Sequence, residues 1–320
     1  MGKSMVPSIE RLADIERRQR VRKWNRFYEA AICATREEAP PASNCSQIDA
    51  PKFGRTLHAL SDPEAAVLLL LLYAPTVEEA LDQYALPTSR RLHFLDESPF
   101  ADGRLHPAYE GTVAAAEELG VIKFHAKIPD YEKGRYVPFP YVGDVLVFHR
   151  KGESVEVVNL TVKQSLADFD RPFQAGKKRR NLDREYEKER ARHAIEERCH
   201  LDAGIRTVRV TGDEIPKVLK RNLDCLNGMR TIPEEISKTS VLRVFDRLLE
   251  AKLRCQPPIS VFREALRRWD IPMQHSRVIF ADAVFSRELR IDLFHDMLLS
   301  DKPLVDEQRD ALDLVKRWLD

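Results

Sequence analysis

Cysteine is scarce in this chain and shows no pairing pattern. The five cysteines, Cys33, Cys45, Cys199, Cys225 and Cys255, are odd in number and widely spaced, with no C-x-x-C pair. That argues against both a disulfide framework and a thiolate zinc site, and for reduced thiols in a cytosolic protein. Long apolar runs are also missing. The longest, Ala65 to Ala74, is far short of the ~20 residues that cross a bilayer, and the N-terminus carries no signal-peptide apolar stretch, so no membrane role is expected. An excess of one charge is lacking too: the formal net charge is +1. No overall basic field points to nucleic acid, and any such surface has to be local.

What is present is a chain of 320 residues with 43% hydrophobic and 32% charged content, a globular composition with room for two domains. Its most informative stretch runs from Pro140 to Lys163. Two arms rich in Val, Leu and Phe flank a break at Arg150–Ser154 that holds Gly152, the pattern of a β-hairpin. Alternation along a strand puts Asp144, Leu146 and Phe148 on one face, and Asn159, Thr161 and Lys163 on one face. If pairing joins those faces, a carboxylate and an ammonium meet at one end of a sheet, an arrangement suited to metal-assisted attack on a phosphodiester. The same two charges also fit a solvated strand boundary or a surface ion pair worth little.

Before the hairpin, Ser8 to Glu38 carries one apolar stripe (Ile9, Leu12, Ile15, Val21, Trp24, Phe27, Tyr28, Ala31) among many arginines and predicts a helix; its basic face suits either DNA phosphates or solvent. Pro40-Pro41 ends it, and a polar connector is expected to Gly54. Leu60-Ser-Asp-Pro-Glu64 opens a helix of five consecutive leucines, which has to be buried nearly all round. Glu64 in its first turn is explained by the helix dipole, or by a rigidly presented metal ligand. A short helix is expected at Val77–Tyr84, another at Tyr109–Leu119, and a strand at Val121–Ile128. Beyond the hairpin a helix from Gln174 to Leu201 starts with Lys177, Lys178, Arg179 and Arg180, a cationic cluster for the DNA backbone or the start of an ion-paired helix. A strand at Ile205–Val210 and a helix to Gly228 follow. This order describes a mixed sheet covered by helices. Past a boundary near Thr231–Ser237, helices at Val241–Leu253, Ile259–Trp269 and Val278–Leu289 precede a possible β wing at Arg290–Val305 and a closing amphipathic helix, so a winged-helix or all-α module for DNA or protein docking is expected.

Taken in order, these pieces resemble the TnsA endonucleases of bacterial heteromeric transposases, within the PD-(D/E)xK nuclease superfamily. The resemblance lies in Leu60-Ser-Asp-Pro-Glu64, Ala74-Pro-Thr-Val77, Asp96-Glu-Ser-Pro-Phe100, Glu118-Leu-Gly-Val-Ile122, Gly143-Asp-Val-Leu-Val147, Leu160-Thr-Val-Lys163 and Ile205 to Ile215. It implies an α/β restriction-endonuclease-like fold, a mixed sheet flanked by helices with an all-α or winged-helix C-terminal domain. The expected divisions are an arm at 1–56, a nuclease domain at 57–229 and the C-terminal domain at 230–320. It implies that Glu64 and Asp144 bind metal, with the Val162 carbonyl as a further ligand, and that Lys163 is the catalytic lysine. Thr161 stands where the family carries Gln or Glu, so its hydroxyl would hold a metal-bound water, or Asn159 would serve in a shifted register. Two Mg²⁺ ions, replaceable by Mn²⁺, are the expected cofactors. The implied partners are double-stranded transposon ends, a TnsB-like DDE transposase and a TnsC-like AAA+ ATPase, the last through the C-terminal domain, in a bacterial nucleoid-associated cytoplasmic setting. A catalytically silent assembly or DNA-binding subunit and a stand-alone restriction or repair nuclease are the alternatives.

Overall fold

The computed structural model describes residues 7–40, 43–130, 134–170, 182–230, 233–295 and 301–320. Lys177, Lys178, Arg179 and Arg180 lie outside the described residues. Among the described residues the helices are α1 Ile9–Gln19, α2 Asp62–Tyr73, α3 Thr112–Glu118, α4 Leu182–Asp202, α5 Lys217–Asn227, α6 Lys238–Leu253, α7 Pro258–Trp269, α8 Met273–Phe285 and α9 Leu312–Leu319. The strands are β1 Ser46–Ala50, β2 Arg55–Ala59, β3 Val77–Ala85, β4 Lys127–Asp130, β5 Arg135–Pro138, β6 Val142–Lys151, β7 Ser154–Lys163 and β8 Arg206–Thr211. None of these helices is long and apolar enough to cross a membrane.

The chain divides into two units. The first comprises Met1–Leu68 and Thr76–Glu214, the second Leu69–Pro75 and Ile215–Trp318, apart from the last two residues. At the centre of the first is a four-stranded mixed sheet of order β3-β6-β7-β8. Its first two pairings are antiparallel and β7–β8 is parallel, because α4 carries the chain back from the end of β7 to the start of β8, as a parallel neighbour requires. The β6–β7 hairpin turns at Gly152, whose φ of 63° lies where a side chain would be strained. Its register sets Leu146 opposite Asn159 and Phe148 opposite Val157. Leu146, Phe148 and Val157 meet Tyr84 of β3 and Ile195 and Cys199 of α4 in one buried cluster, so the sheet face that bears Asp144 is the face covered by α4. Here is the restriction-endonuclease-like architecture expected from the sequence, followed by a helical C-terminal region. In that second unit α6, α7 and α8 pack on one another around Val244, Leu248, Phe262, Ile279 and Phe280.

Four local expectations are corrected. Val77–Tyr84 is strand β3 rather than a helix: the helix-favouring Glu, Ala, Leu and Gln residues are overruled because Glu79 and Asp82 are fully buried and ion-paired to Arg55 of β2, a tertiary demand stronger than local propensity. The helix expected over 8–38 stops at Gln19, where the chain folds back. Arg18 then reaches the Ala30 and Ala31 carbonyls and pairs with Glu38. The expected connector before Gly54 contains the β1–β2 hairpin, with Ile48 opposite Leu57. Within Val121–Ile128 only Lys127 and Ile128 are strand, because Ile122–Phe124 forms a 3-10 turn. In the segment read as a wing, the described residues carry one isolated bridge, Ile291 with Asp306.

Candidate functional site

Glu64 is placed by its helix start. Its backbone N–H donates to Ser61 Oγ (3.3 Å) while the Ser61 hydroxyl donates to Glu64 Oε1 (2.7 Å), so the serine just before the helix and the acid in its first turn hold each other. Oε2 accepts the Leu60 N–H (2.9 Å) and the Gln83 carboxamide Nε2 (2.8 Å). Three of the roughly four lone-pair directions of the carboxylate are thereby taken, and its orientation is fixed. Gln83 reaches it from a β3 residue held at φ 47°, a left-handed backbone that costs ~1–3 kcal/mol and is tolerated where neighbours over-determine it. Burial pushes the Glu64 carboxyl up to about 8, and the neighbouring Asp144 charge adds to the rise, with Lys163 opposing it. Glu64, Asp144 and Lys163, distant in sequence, therefore lie within electrostatic reach of one another.

Asp144 sits just before Val145, the first β6 residue paired to β7, where its Oδ2 accepts the Val162 N–H at 2.7 Å. The residue whose carbonyl was expected as a ligand thus meets this acid through its N–H. Thr161 is buried, and its hydroxyl donates to Glu196 Oε1 at 3.2 Å. Asn159, on the same face, donates its amide to that same oxygen at 3.1 Å. Glu196, only 2% exposed, is the site residue that sequence reasoning missed. Burial raises its carboxyl pKa; the Arg192 charge offsets this in part and the Asp144 charge adds to it. In the sequence Glu196 looks like one more charge on a charged helix. Its signal is register: with Ile195, Cys199 and His200, and with Ala203 just past the helix end, it forms the i, i+3, i+4 stripe that faces the sheet. A buried carboxylate from α4 therefore meets Thr161 and Asn159 of β7.

A second cluster lies in the β3–α3 loop. His93, Asp96 and His106 offer ligand atoms all within 4.8 Å of one another, a potential metal-binding group. Asp96 Oδ1 is 2.6 Å from His106 Nδ1 and both its oxygens accept the His106 N–H, which hold its carboxyl below the usual range against the opposing effect of burial. His93 stacks on His106 at 4.9 Å, and burial, aided by the His106 charge, lowers it to about 4. His93 and His106 line a cavity beside Val155–Val158 of β7. From Val158 to Lys163 is five residues of strand, ~16 Å, so the two centres occupy opposite ends of the sheet.

The mixed sheet with its flanking helices and the potential His/Asp metal site are consistent with PD-(D/E)xK-like nuclease folds in general, and a metal-coordinating group of this kind is compatible with nuclease-type chemistry. Comparison with known protein families and with curated proteins finds no match for this chain.

Proposed function

We propose that this protein is a metal-dependent DNA endonuclease whose acid centre comprises Glu64, Asp144, Glu196 and Lys163. The observation that carries the reading is buried Glu64, with half-buried Asp144 and Lys163 within electrostatic reach of it: a carboxylate held out of water beside a second acid is costly unless a cation joins them. The donor set is all oxygen, which fits a hard divalent ion such as Mg²⁺, with Mn²⁺ as a substitute. Glu64 and Asp144 would hold it, and Glu196 would take the place of the Gln or Glu that TnsA-like enzymes carry where Thr161 stands. When bound, Mg²⁺ supplies positive charge to the phosphoryl oxygens and favours ionisation of water.

The chain's own groups do the rest. Lys163, half-exposed at the end of β7, holds a non-bridging phosphate oxygen or orients the attacking water as charge builds in the transition state. Water oxygen bonds to phosphorus, the bond from phosphorus to the 3′ oxygen breaks, and the products are a 5′ phosphate and a 3′ hydroxyl. The TnsA resemblance extends the proposal to a subunit of a heteromeric transposase that cuts at the 5′ ends of a transposon. A DDE-type partner would cut and join the 3′ ends, and an AAA+ ATPase would activate the complex. The chain shows no base-reading motif, so the partner would supply end specificity and the isolated chain would cut slowly.

The test is nicking of supercoiled plasmid by the purified full chain in Mg²⁺ or Mn²⁺. Slow nicking that EDTA stops, and that Glu64→Ala and Asp144→Ala lose while keeping the parent melting profile, supports the proposal. Nicking retained by either variant ends it, and robust site-specific cutting of isolated ends without partners contradicts the subunit role.

A further inference from the structure

We propose that Tyr109, His200, Tyr84 and Asn159 form a one-way hydrogen-bond chain that positions the Glu196 carboxylate, making these four core side chains positioning residues of the acid centre. The inference rests on the nuclease reading above and names what orients its third acid.

The direction of the chain follows from donor and acceptor chemistry alone. Asn159 Nδ2 donates to Glu196 Oε1 at 3.1 Å and to Thr207 Oγ1 at 3.1 Å, so both amide hydrogens are used and Oδ1 is left as an acceptor. That oxygen takes the Tyr84 hydroxyl hydrogen at 2.7 Å. Tyr84 has no second hydrogen, so its 2.7 Å contact with His200 Nε2 is donated by the ring. A neutral imidazole with its proton on Nε2 accepts at Nδ1, and Tyr109 Oη lies 3.1 Å away to donate there. Burial keeps His200 neutral by lowering it to about 3. Every link therefore points the same way, from Tyr109 to the carboxylate.

The chain is dry and deliberate in its packing. Tyr84, Tyr109, Asn159 and His200 are each 0% exposed. A Cβ at Gly143 would come within 2.4 Å of the Tyr84 ring, so the residue before Asp144 is cut back to let Tyr84 in. A buried polar chain is costly unless fully satisfied, and hydrophobic packing of similar volume would stabilise the core as well or better. What the polar chain adds is orientation: successive links polarise one another, and the last donor fixes Glu196 Oε1 along with Thr161, as outer-shell partners fix metal-binding groups. Tyr109 sets the His200 tautomer. Without it, Tyr84 can donate to His200 instead of Asn159, and the final link loses its direction.

The test uses the full chain with Tyr84→Phe, Tyr109→Phe and, as a packing control in the same core, Phe148→Leu. Mn²⁺ uptake is followed by the loss of free-ion EPR signal, beside thermal melts, and the share of uptake lost in Asp144→Asn is assigned to the acid centre. That share should weaken ~10-fold or more in Tyr84→Phe and several-fold in Tyr109→Phe, while Phe148→Leu lowers the melting temperature and leaves affinity within about twofold. Histidine ¹⁵N NMR, with His200 assigned by His200→Gln, should show the Nε2–H tautomer in the parent and a mixture in Tyr109→Phe. Parental affinity in both tyrosine variants, equal weakening in Phe148→Leu, or an Nδ1–H tautomer at His200 overturns the chain while leaving the acid centre standing. Mn²⁺ uptake indifferent to Asp144→Asn sinks the acid centre, and the positioning role with it.

Discussion

Replacing Glu64 by Gln should change how the metal-free protein responds to pH. The carboxyl rises from its ordinary 4.5 to about 8 through burial and then the Asp144 charge, so between those pH values the folded chain keeps a proton that the unfolded chain releases. Stability contributed by the protonated form is complete below about pH 4.5 and is lost as pH climbs through about 8, at ~1.4 kcal/mol per pH unit. Across the whole window the loss is roughly 5 kcal/mol. Gln cannot ionise, yet it can satisfy the same neighbours: its Oε1 accepts from Leu60 and Gln83, and its amide donates to Ser61 Oγ. Urea unfolding in EDTA, parent against Glu64→Gln, should show near-equal stability at about pH 5 and a variant several kcal/mol more stable at about pH 9. Taking the difference cancels the buried histidines, which both proteins share. Mg²⁺ should then stabilise the parent increasingly as pH rises, and the variant little. A parent–variant difference that stays flat from pH 5 to 9 would refute the reasoning.

Three further outcomes follow from the same packing. Arg55→Met strands Glu79 and Asp82, both 0% exposed, and should cost ~3–5 kcal/mol in chemical denaturation. Gly143→Ala drives a methyl into the Tyr84 ring and should cost ~1–3 kcal/mol by the same measurement. Lys163→Ala should retain Mn²⁺ uptake but reduce DNA cleavage ~100-fold or more, read from single-turnover rates.

The sheet's central hairpin was legible because its alternation, its glycine turn and its two charges all agree. The Leu-rich helix was legible for a similar reason, since the Ser-Asp-Pro-Glu start leaves little choice. β3 was not, because Glu78, Glu79, Asp82 and Gln83 read as a helix surface until Arg55, from the unexpected β1–β2 hairpin, pairs with Glu79 and Asp82. Glu196 was hidden among the charges of α4, and only its register with Cys199 and Ala203 marks it as buried. The His93–Asp96–His106 cluster depends on the path of the 86–111 loop, pinned by the Arg91–Tyr109 bridge. No periodicity announces such a path. Thr161 shows the same limit from the other side: its place in the strand says nothing of the α4 carboxylate it bonds.

Anomalous diffraction from crystals of the full chain soaked in Mn²⁺ tests the central claim most directly. The account predicts a peak bonded to carboxylate oxygens of Glu64 and Asp144, with Glu196 in its surroundings, that disappears in Asp144→Asn. A peak confined to His93, Asp96 and His106, with the acids at the other end of the sheet left without density, would contradict it.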